Sequence, residues 1–290
     1  MPDARYLIAD VFTPVPFGGN QLAVFPDAAG LEPTQMQAIA RELNLAESTF
    51  VTPGSAPGRF RVRIFTPAAE LPFAGHPTVG TAVVLAHLGR AEARDEIVLE
   101  EGVGPLRVAL RPGGAIFFLD GAAEQRSLDV PAADIAALVG ATALGGAPWQ
   151  AGFGLPFLFI PLADVAAVGA AALRLDRWNA LAPRLWGRGV YVHTTTGHNG
   201  AETAMRARMF APGLGVSEDP ATGSAAAALA GSLTAPASAE LRRLRIAQGV
   251  EMGRPSVIET ETRFTAGRIT GVAVGGGAVV VGEGRFTRLP

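Results

Sequence analysis

The pattern R-x-R-x-F-x-P occurs twice, at Arg61-Val62-Arg63-Ile64-Phe65-Thr66-Pro67 and at Arg206-Ala207-Arg208-Met209-Phe210-Ala211-Pro212, 145 residues apart in a chain of 290. Alternation of arginine with apolar residues predicts a half-buried strand, and the proline closes it. Each copy leads through a loop into a run of small and apolar residues. The first passes Gly75-His76 and enters Thr78 to Leu85; the second passes Gly223-Ser224 and enters Ala225 to Ala230. The second loop is three residues longer, with the extra length expected near Gly215-Val216-Ser217. A separation of half the chain predicts two similar halves, made by duplication of one domain.

The coarse elements fit that reading. In the first half the patterning predicts strands near 5–12, 20–25, 48–52, 59–65, 97–101, 105–110 and 115–120, with helices at 33–43 and 77–88. In the second it predicts strands near 149–160, 188–195, 204–210, 243–248, 255–264 and 268–274, with helices at 131–139, 176–186 and 221–233. Strands paired by turns, with few βαβ units, predict an α+β fold. The helices starting near 77 and 221 are apolar or small on nearly every face, so each is expected to be the buried central rod of its half, wrapped by a barrel-like sheet. The expected domains are 1–118 with a returning C-terminal strand at about 280–290, and 119–279.

Composition removes several chemistries. Hydrophobic residues make up 49% and charged residues 17%, which supports a sizeable core and leaves no case for disorder. The net charge of −2 and the lack of a dominant basic patch speak against nucleic acid as a partner. The N-terminal residues lack the positive charge and long apolar run of a signal peptide, and no stretch reaches the roughly 18 apolar residues of a membrane span, so a soluble, cytoplasmic protein is expected. There is no cysteine, hence no disulfide, thiol nucleophile or cysteine-held metal. All 24 residues counted as lysine or arginine are arginine, so neither a Schiff base nor a Walker-type phosphate loop is available.

Several polar residues invite a choice. His76 is either a polar group at a helix start or an acid–base residue aimed into a cleft. Ser224, at the corresponding place, reads as a helix cap or a ligand contact. Asp219, held by Pro220, either caps the following helix or stands as a carboxylate at the cleft wall; Glu218 beside it reads as solvated. Glu47 by composition is a surface glutamate. Helix starts carry free N–H groups and a positive dipole, so two of them facing one cleft between the halves suit a small carboxylate. Gly75 and Gly223 let a ligand approach the backbone closely. The His193 and His198 pair does not read as a metal site, because Gly197-His198-Asn199-Gly200 reads as a hairpin turn.

At these residues a resemblance enters. The segments DVFTPVPFGGNQLAVF (10–25), LNLAESTFV (43–51), RIFTPAAELPFAGHPTVGTA (63–82), FAPGLGVSEDPATGSAAAAL (210–229) and QGVEMGRPS (248–256) resemble the signature segments of the PhzF-like phenazine-biosynthesis isomerase family, in order over nearly the whole chain. One departure is Gln21, where many members carry proline. The resemblance implies a diaminopimelate epimerase-like fold of two pseudo-symmetric halves, with the active site between them. It implies a cofactor-independent, metal-free isomerase that moves a proton on a small unsaturated or cyclic carboxylate. Glu47 matches the family's general acid/base, and His76, Asp219 and Ser224 match its other polar site residues. Gly75, Gly223, Ser224 and Asn20 are assigned to substrate binding, and a homodimer is expected. Racemases of the same fold use one thiol per half; His76 and Ser224 stand where those thiols are expected. The rival readings are a racemase, epimerase or dehydratase on the same scaffold, and a non-catalytic carboxylate-binding protein.

Overall fold

The first strands pair as their alternation requires. β1 (Arg5–Val11) runs antiparallel to β2 (Asn20–Phe25), and β2 runs parallel to β3 (Glu47–Pro53) after a crossover through α1 (Pro33–Leu43). The protein is described by a computed structural model covering residues 4–92, 95–200, 202–214, 216–234 and 240–290. Gly215, where the second loop was expected to lengthen, and the N-terminal Met1 to Asp3 lie outside the described residues. The chain divides into two compact units, Met1–Phe118 with Gly275–Pro290, and Leu119–Val274.

In the first unit, β3 pairs antiparallel with β4 (Arg59–Phe65), which also pairs with the short β5 (Glu70–Leu71). A second crossover, through α2 (Gly75–His87), makes β4 parallel to β6 (Glu96–Glu101). Antiparallel β7 (Gly104–Arg111) and β8 (Gly114–Asp120) follow. The C-terminal strand then pairs with both β8 and β1, closing a ring of eight strands. α1 starts with a reciprocal cap between Glu32 and Gln35, has Pro33 in its first turn, and ends on Asn44 in the left-handed region at φ 51. Met36, Ile39 and Ala40 form its buried stripe. α2 instead buries residues all round, from Gly75 to Leu85. A Cβ on Gly80 would lie 2.6 Å from both Leu22 Cδ2 and Val11 Cγ2, so glycine lets β1 and β2 press onto the helix.

The second unit repeats this order. It opens with β9 (Glu124–Arg126) and α3 (Ala132–Leu138). β10 (Trp149–Phe153) and β11 (Leu155–Pro161) form an antiparallel hairpin. α4 (Val165–Ala170) and α5 (Leu175–Leu181) then lead into β12 (Gly189–Asn199), which is parallel to β11. β13 (Glu202–Ala211) runs back antiparallel, followed by β14 (Val216–Asp219), α6 (Gly223–Ser232) and β15 (Leu241–Gln248), and β15 is parallel to β13. β16 (Ser256–Thr265) is antiparallel to β15, and β17 (Arg268–Arg285) completes the chain. Both units therefore show the sequence antiparallel, parallel, antiparallel, parallel, antiparallel, and the second parallel step spans the helix with no exposed face. α6 buries Gly223 and Ala225 to Gly231, and Gly231 admits the Phe153 ring, which a Cβ would meet at 2.7 Å.

The repeated R-x-R-x-F-x-P has a structural cause. Arg63 lies over Phe65 at 5.1 Å and is held by both oxygens of Glu70, each at 2.7 Å. Arg208 lies over Phe210 at 5.0 Å and is held by both oxygens of Glu218, at 2.8 and 2.9 Å. The pattern encodes an outward face on which a guanidinium stacks on an aromatic ring and is fixed by a carboxylate from the next loop. Glu218 is thus a partly buried ion-pair partner of Arg208, not the solvated residue its neighbourhood predicted.

Other differences are local. The strand expected over 149–160 is two strands, because Gly154 turns the chain at φ 82. The expected hairpin turn at 197–200 is narrower, with β12 running to Asn199 past a register shift at Thr195/Gly197. The C-terminal segment is one strand of 18 residues, not two short ones. Among the described residues no helix is long and apolar enough to cross a membrane, and no group of three or more metal-binding side chains is present.

Candidate active site

Two polar clusters sit at the starts of the two buried helices, one in each unit. In the first unit, His76 is the second residue of α2 and is buried. The helix start is Ala74, with no side-chain cap, so His76 is not there to cap. Its Nδ1 lies 3.3 Å from the amide of Asn20, the first residue of β2, and the Gln21 backbone also hydrogen-bonds the ring. These contacts turn Nε2 toward Glu47, whose Oε2 is 3.4 Å away. Glu47 opens β3 opposite Leu22 of β2. Its side chain is only 17% exposed, which corrects the surface reading that composition gave.

The distance is that of an ion pair, yet the imidazole is neutral. Burial lowers His76 to about 3, opposed by the Gln21 hydrogen bond. The pair is therefore a neutral ring beside a carboxyl group, within the range over which a proton-sharing contact tightens when a ligand arrives. Asp10 of β1 supports the same end of the unit. Its Oδ2 accepts from the Phe17 N–H at 2.7 Å, pinning the loop that delivers Asn20, in which Phe12 and Phe17 both take positive φ values of 64° and 67°. Sequence reasoning gave Asp10 no role; a lone aspartate inside the apolar run of β1 was the available signal.

In the second unit, Asp219 closes β14 and its Oδ2 accepts from the Thr222 hydroxyl at 2.5 Å. Thr222 is the helix start of α6, again without a side-chain cap to the backbone. Gln248, wholly buried at the end of β15, donates to the Asp219 carbonyl at 2.8 Å and to Thr222 Oγ1 at 3.0 Å. Its Oε1 accepts from Tyr191 Oη at 3.2 Å and from the Thr222 N–H at 3.4 Å. Burial, and then the Asp219 charge, push the Tyr191 phenol far above its ordinary range, so it remains a neutral donor. Gly223 is buried and Ser224 half-buried in the first turn of α6. Asp219 bears on the start of α6 through the Thr222 hydroxyl. Thr222, Tyr191 and Gln248 were not anticipated.

Thus Glu47, His76, Asn20 and Gly75 come together in the first unit, and Asp219, Gly223 and Ser224 in the second. Of the remaining histidines singled out, His193 is buried against Trp149, and His198 contacts Thr203 Oγ1 at 3.1 Å.

Helices wrapped by strands in two topologically matching units, each with a polar cluster at the helix start, define an α+β protein, and its relatives place it in the isomerase class. An uncharacterised isomerase of Mesorhizobium japonicum is 44% identical, with 99% of each chain covered. The trans-2,3-dihydro-3-hydroxyanthranilate isomerase of Pseudomonas fluorescens is 36% identical over 97% of this chain and 98% of its own. The crystal structure of a predicted epimerase from Pseudomonas aeruginosa matches with a TM-score of 0.78 and 33% identity, covering 98% of this chain and 99% of that one. The profile of the phenazine biosynthesis-like protein family, PhzC-PhzF, matches residues 9–284, and the chain belongs to that family.

Proposed function

We propose that the protein catalyses a cofactor-independent hydrogen shift on a small unsaturated or cyclic carboxylate, with Glu47 carrying the proton. The observation that carries this reading is the buried contact between Glu47 Oε2 and the neutral His76 ring at 3.4 Å. In this reaction the Glu47 carboxylate takes a proton from an sp³ carbon beside a double bond. The electron pair shifts along the π system, and the Glu47 carboxyl, whose proton exchanges with solvent, delivers a proton to the far carbon. Atoms and charge balance, and no oxidant is needed. A group of this kind supplies about 10²–10⁴-fold.

In this reading the N–H groups at Gly75 and His76 hold the substrate carboxylate and Asn20 fixes the His76 ring; in the second unit Asp219, Gly223 and Ser224 are the groups that can bind a polar substituent. The 36% identity to a trans-2,3-dihydro-3-hydroxyanthranilate isomerase supports a dihydro-hydroxy-carboxylate as the substrate class. Two-thiol racemisation lacks its acid and base, since the chain has no cysteine. A cytoplasmic homodimer belongs to the same reading, and light scattering in solution tests the dimer.

The deciding experiment incubates the protein with trans-2,3-dihydro-3-hydroxyanthranilate and related unsaturated hydroxy acids in deuterated water. Isomerised product and deuterium at the newly protonated carbon support the proposal. Tight binding of these acids with neither isomerisation nor exchange leaves a carboxylate-binding protein instead.

A further inference from the structure

We infer that Glu101 is a positioning residue for His76: a buried carboxylic acid that keeps its proton and clamps the first turn of α2, in the place that Gln248 takes at α6. The inference rests on the reading of Glu47 and His76 given above, and extends it to a residue that touches neither.

The first observation is a second internal repeat. Glu101-Gly102-Val103 and Gln248-Gly249-Val250 lie 147 residues apart. Each begins on the last residue of the strand reached by the crossover through a buried helix, β6 in one unit and β15 in the other. Each side chain reaches a threonine at the start of that helix. Gln248 contacts Thr222 Oγ1 at 3.0 Å, and Glu101 Oε1 lies 2.8 Å from Thr78 Oγ1. An amide does this while neutral. A carboxyl group in the same role is its isostere only when protonated.

The hydrogen-bond count around Thr78 says the same. Its hydroxyl is 2.9 Å from the Ala74 carbonyl and 2.8 Å from Glu101 Oε1, and it has one hydrogen for two acceptors. Once that hydrogen goes to Ala74, the second contact needs a hydrogen from Glu101. The carboxyl is 8% exposed, and its Oε2 is buried with no hydrogen-bond partner among the described residues, an unfavourable setting for an anion. Burial accordingly pushes Glu101 up to about 8; a hydrogen bond donated by Thr78 instead would act the other way.

Among the described residues no cation is placed to stabilise the ionised form. On β6, Glu100 is held by Arg59 of β4. Arg61 of β4 is exposed, and Arg63 is tied to Glu70 of β5. On β7, Arg107 and Arg111 alternate with the buried Leu106, Val108 and Leu110 and face outward. On α2, the ionisable groups are His76, neutral and two residues before Thr78, and the exposed His87 at the far end. Loss of the Glu101 proton therefore places an uncompensated charge against the turn that carries His76. The ring moves relative to Glu47, and turnover falls on the alkaline side.

The test is nuclear magnetic resonance of the intact protein labelled at glutamate carboxyl carbons and histidine rings, titrated from about pH 6 to about pH 10. The expected result is a Glu101 carboxyl that titrates with a midpoint near 8, and a His76 ring signal that moves with the same midpoint. Glu101→Gln removes that movement. In turnover, an alkaline fall with the Glu101 midpoint is present in the unaltered protein and absent from Glu101→Gln. A Glu101 carboxyl already ionised at the start of the titration overturns the inference, as does a His76 signal that stays flat, or one that still moves in Glu101→Gln. The resonance arms need no substrate. Their success beside a failed exchange assay would reject the isomerisation and keep the clamp.

Discussion

Glu47 and His76 lie close together because of two separate long-range events, the parallel register of β2 on β3 and the packing of α2 against the strands around it. Substituting Glu47→Gln keeps the shape of the side chain and deletes the titrating proton. The expected outcome is an intact fold, ligand binding near normal and turnover lower by about 10²-fold or more, read as a fall in kcat with KM little changed. Normal turnover in this variant would reject Glu47 as the carrier. His76 makes a separate prediction about stability. Its folded value, about 3, lies below the ordinary 6.5. As pH falls through about 6.5, the unfolded chain takes up a proton that the folded chain refuses until near 3. Stability present above that window is lost across it, and His76→Asn should flatten the dependence of the thermal midpoint on pH there. Glu101 acts in the opposite sense: the fold holds a proton that the unfolded chain gives up near 4.5, so its contribution is lost as pH rises toward 8. Little of this was legible at the residue level. An isolated glutamate has no periodic signature, and its burial is decided by the strand across from it. Only the family segments pointed to Glu47; the lone aspartate of β1 and the short repeat around Glu101 were weak signals, and nothing pointed to Tyr191.

Elements were far more legible. Arginine alternation, the Pro33 helix start and the all-apolar helices follow from local chemistry, and observed strands such as β2 and β4 coincide with their predicted ranges. The misses were segments whose form depends on tertiary partners: β5 and β14, which exist as partners of β4 and β13, and α4, which docks on β12 and β13. That docking gives a prediction. Besides its two bonds to Glu218, Arg208 Nη1 donates to the carbonyls of Val168, Gly169 and Ala171 at 3.3, 2.9 and 2.7 Å, closing the C-terminal end of α4. Arg63, its counterpart, makes the carboxylate contact at a more exposed site. Arg208→Ala should therefore cost more stability than Arg63→Ala, about 2–4 kcal/mol against about 1 kcal/mol or less. Arg208→Lys should rescue little, since an ammonium lacks the planar fork. Equal losses in urea melts would contradict this. Gly80→Ala belongs here too. Its added methyl meets Leu22 and Val11 at 2.6 Å and should destabilise by about 1–3 kcal/mol despite the better helix propensity of alanine.

At the scale of the molecule, the duplication was visible in the chain because its two copies kept the same device, an arginine stacked on a buried phenylalanine. The equivalence of Glu101 and Gln248 was harder to see, since a three-residue match carries little weight until both are found at the end of a crossover strand. Burial without an exposed face predicts how each unit opens. The amides of α2 and α6 should be the slowest to exchange with deuterated solvent in their units, and those of β5 and β9 among the fastest. Exchange from either central helix at the rate of its surrounding loops would mean that the unit does not hold its helix as a core.

The C-terminal strand sets a timetable for synthesis. Seven of the eight ring strands of the first unit lie within the first 120 residues, and the strand that joins β8 to β1 ends at Arg285. A ribosome therefore releases the N-terminal portion as an open sheet with two bare edges and must translate the whole second unit before the seam can close. Unpaired edges recruit strands from other chains. A nascent chain of this kind has reason to keep charge and polarity at those edges, and β1 begins with Arg5 while β8 ends with Asp120. Stalling translation just before residue 275 should yield chains that aggregate or bind chaperones, whereas chains stalled with the final strand outside the exit tunnel should resist protease at the first unit.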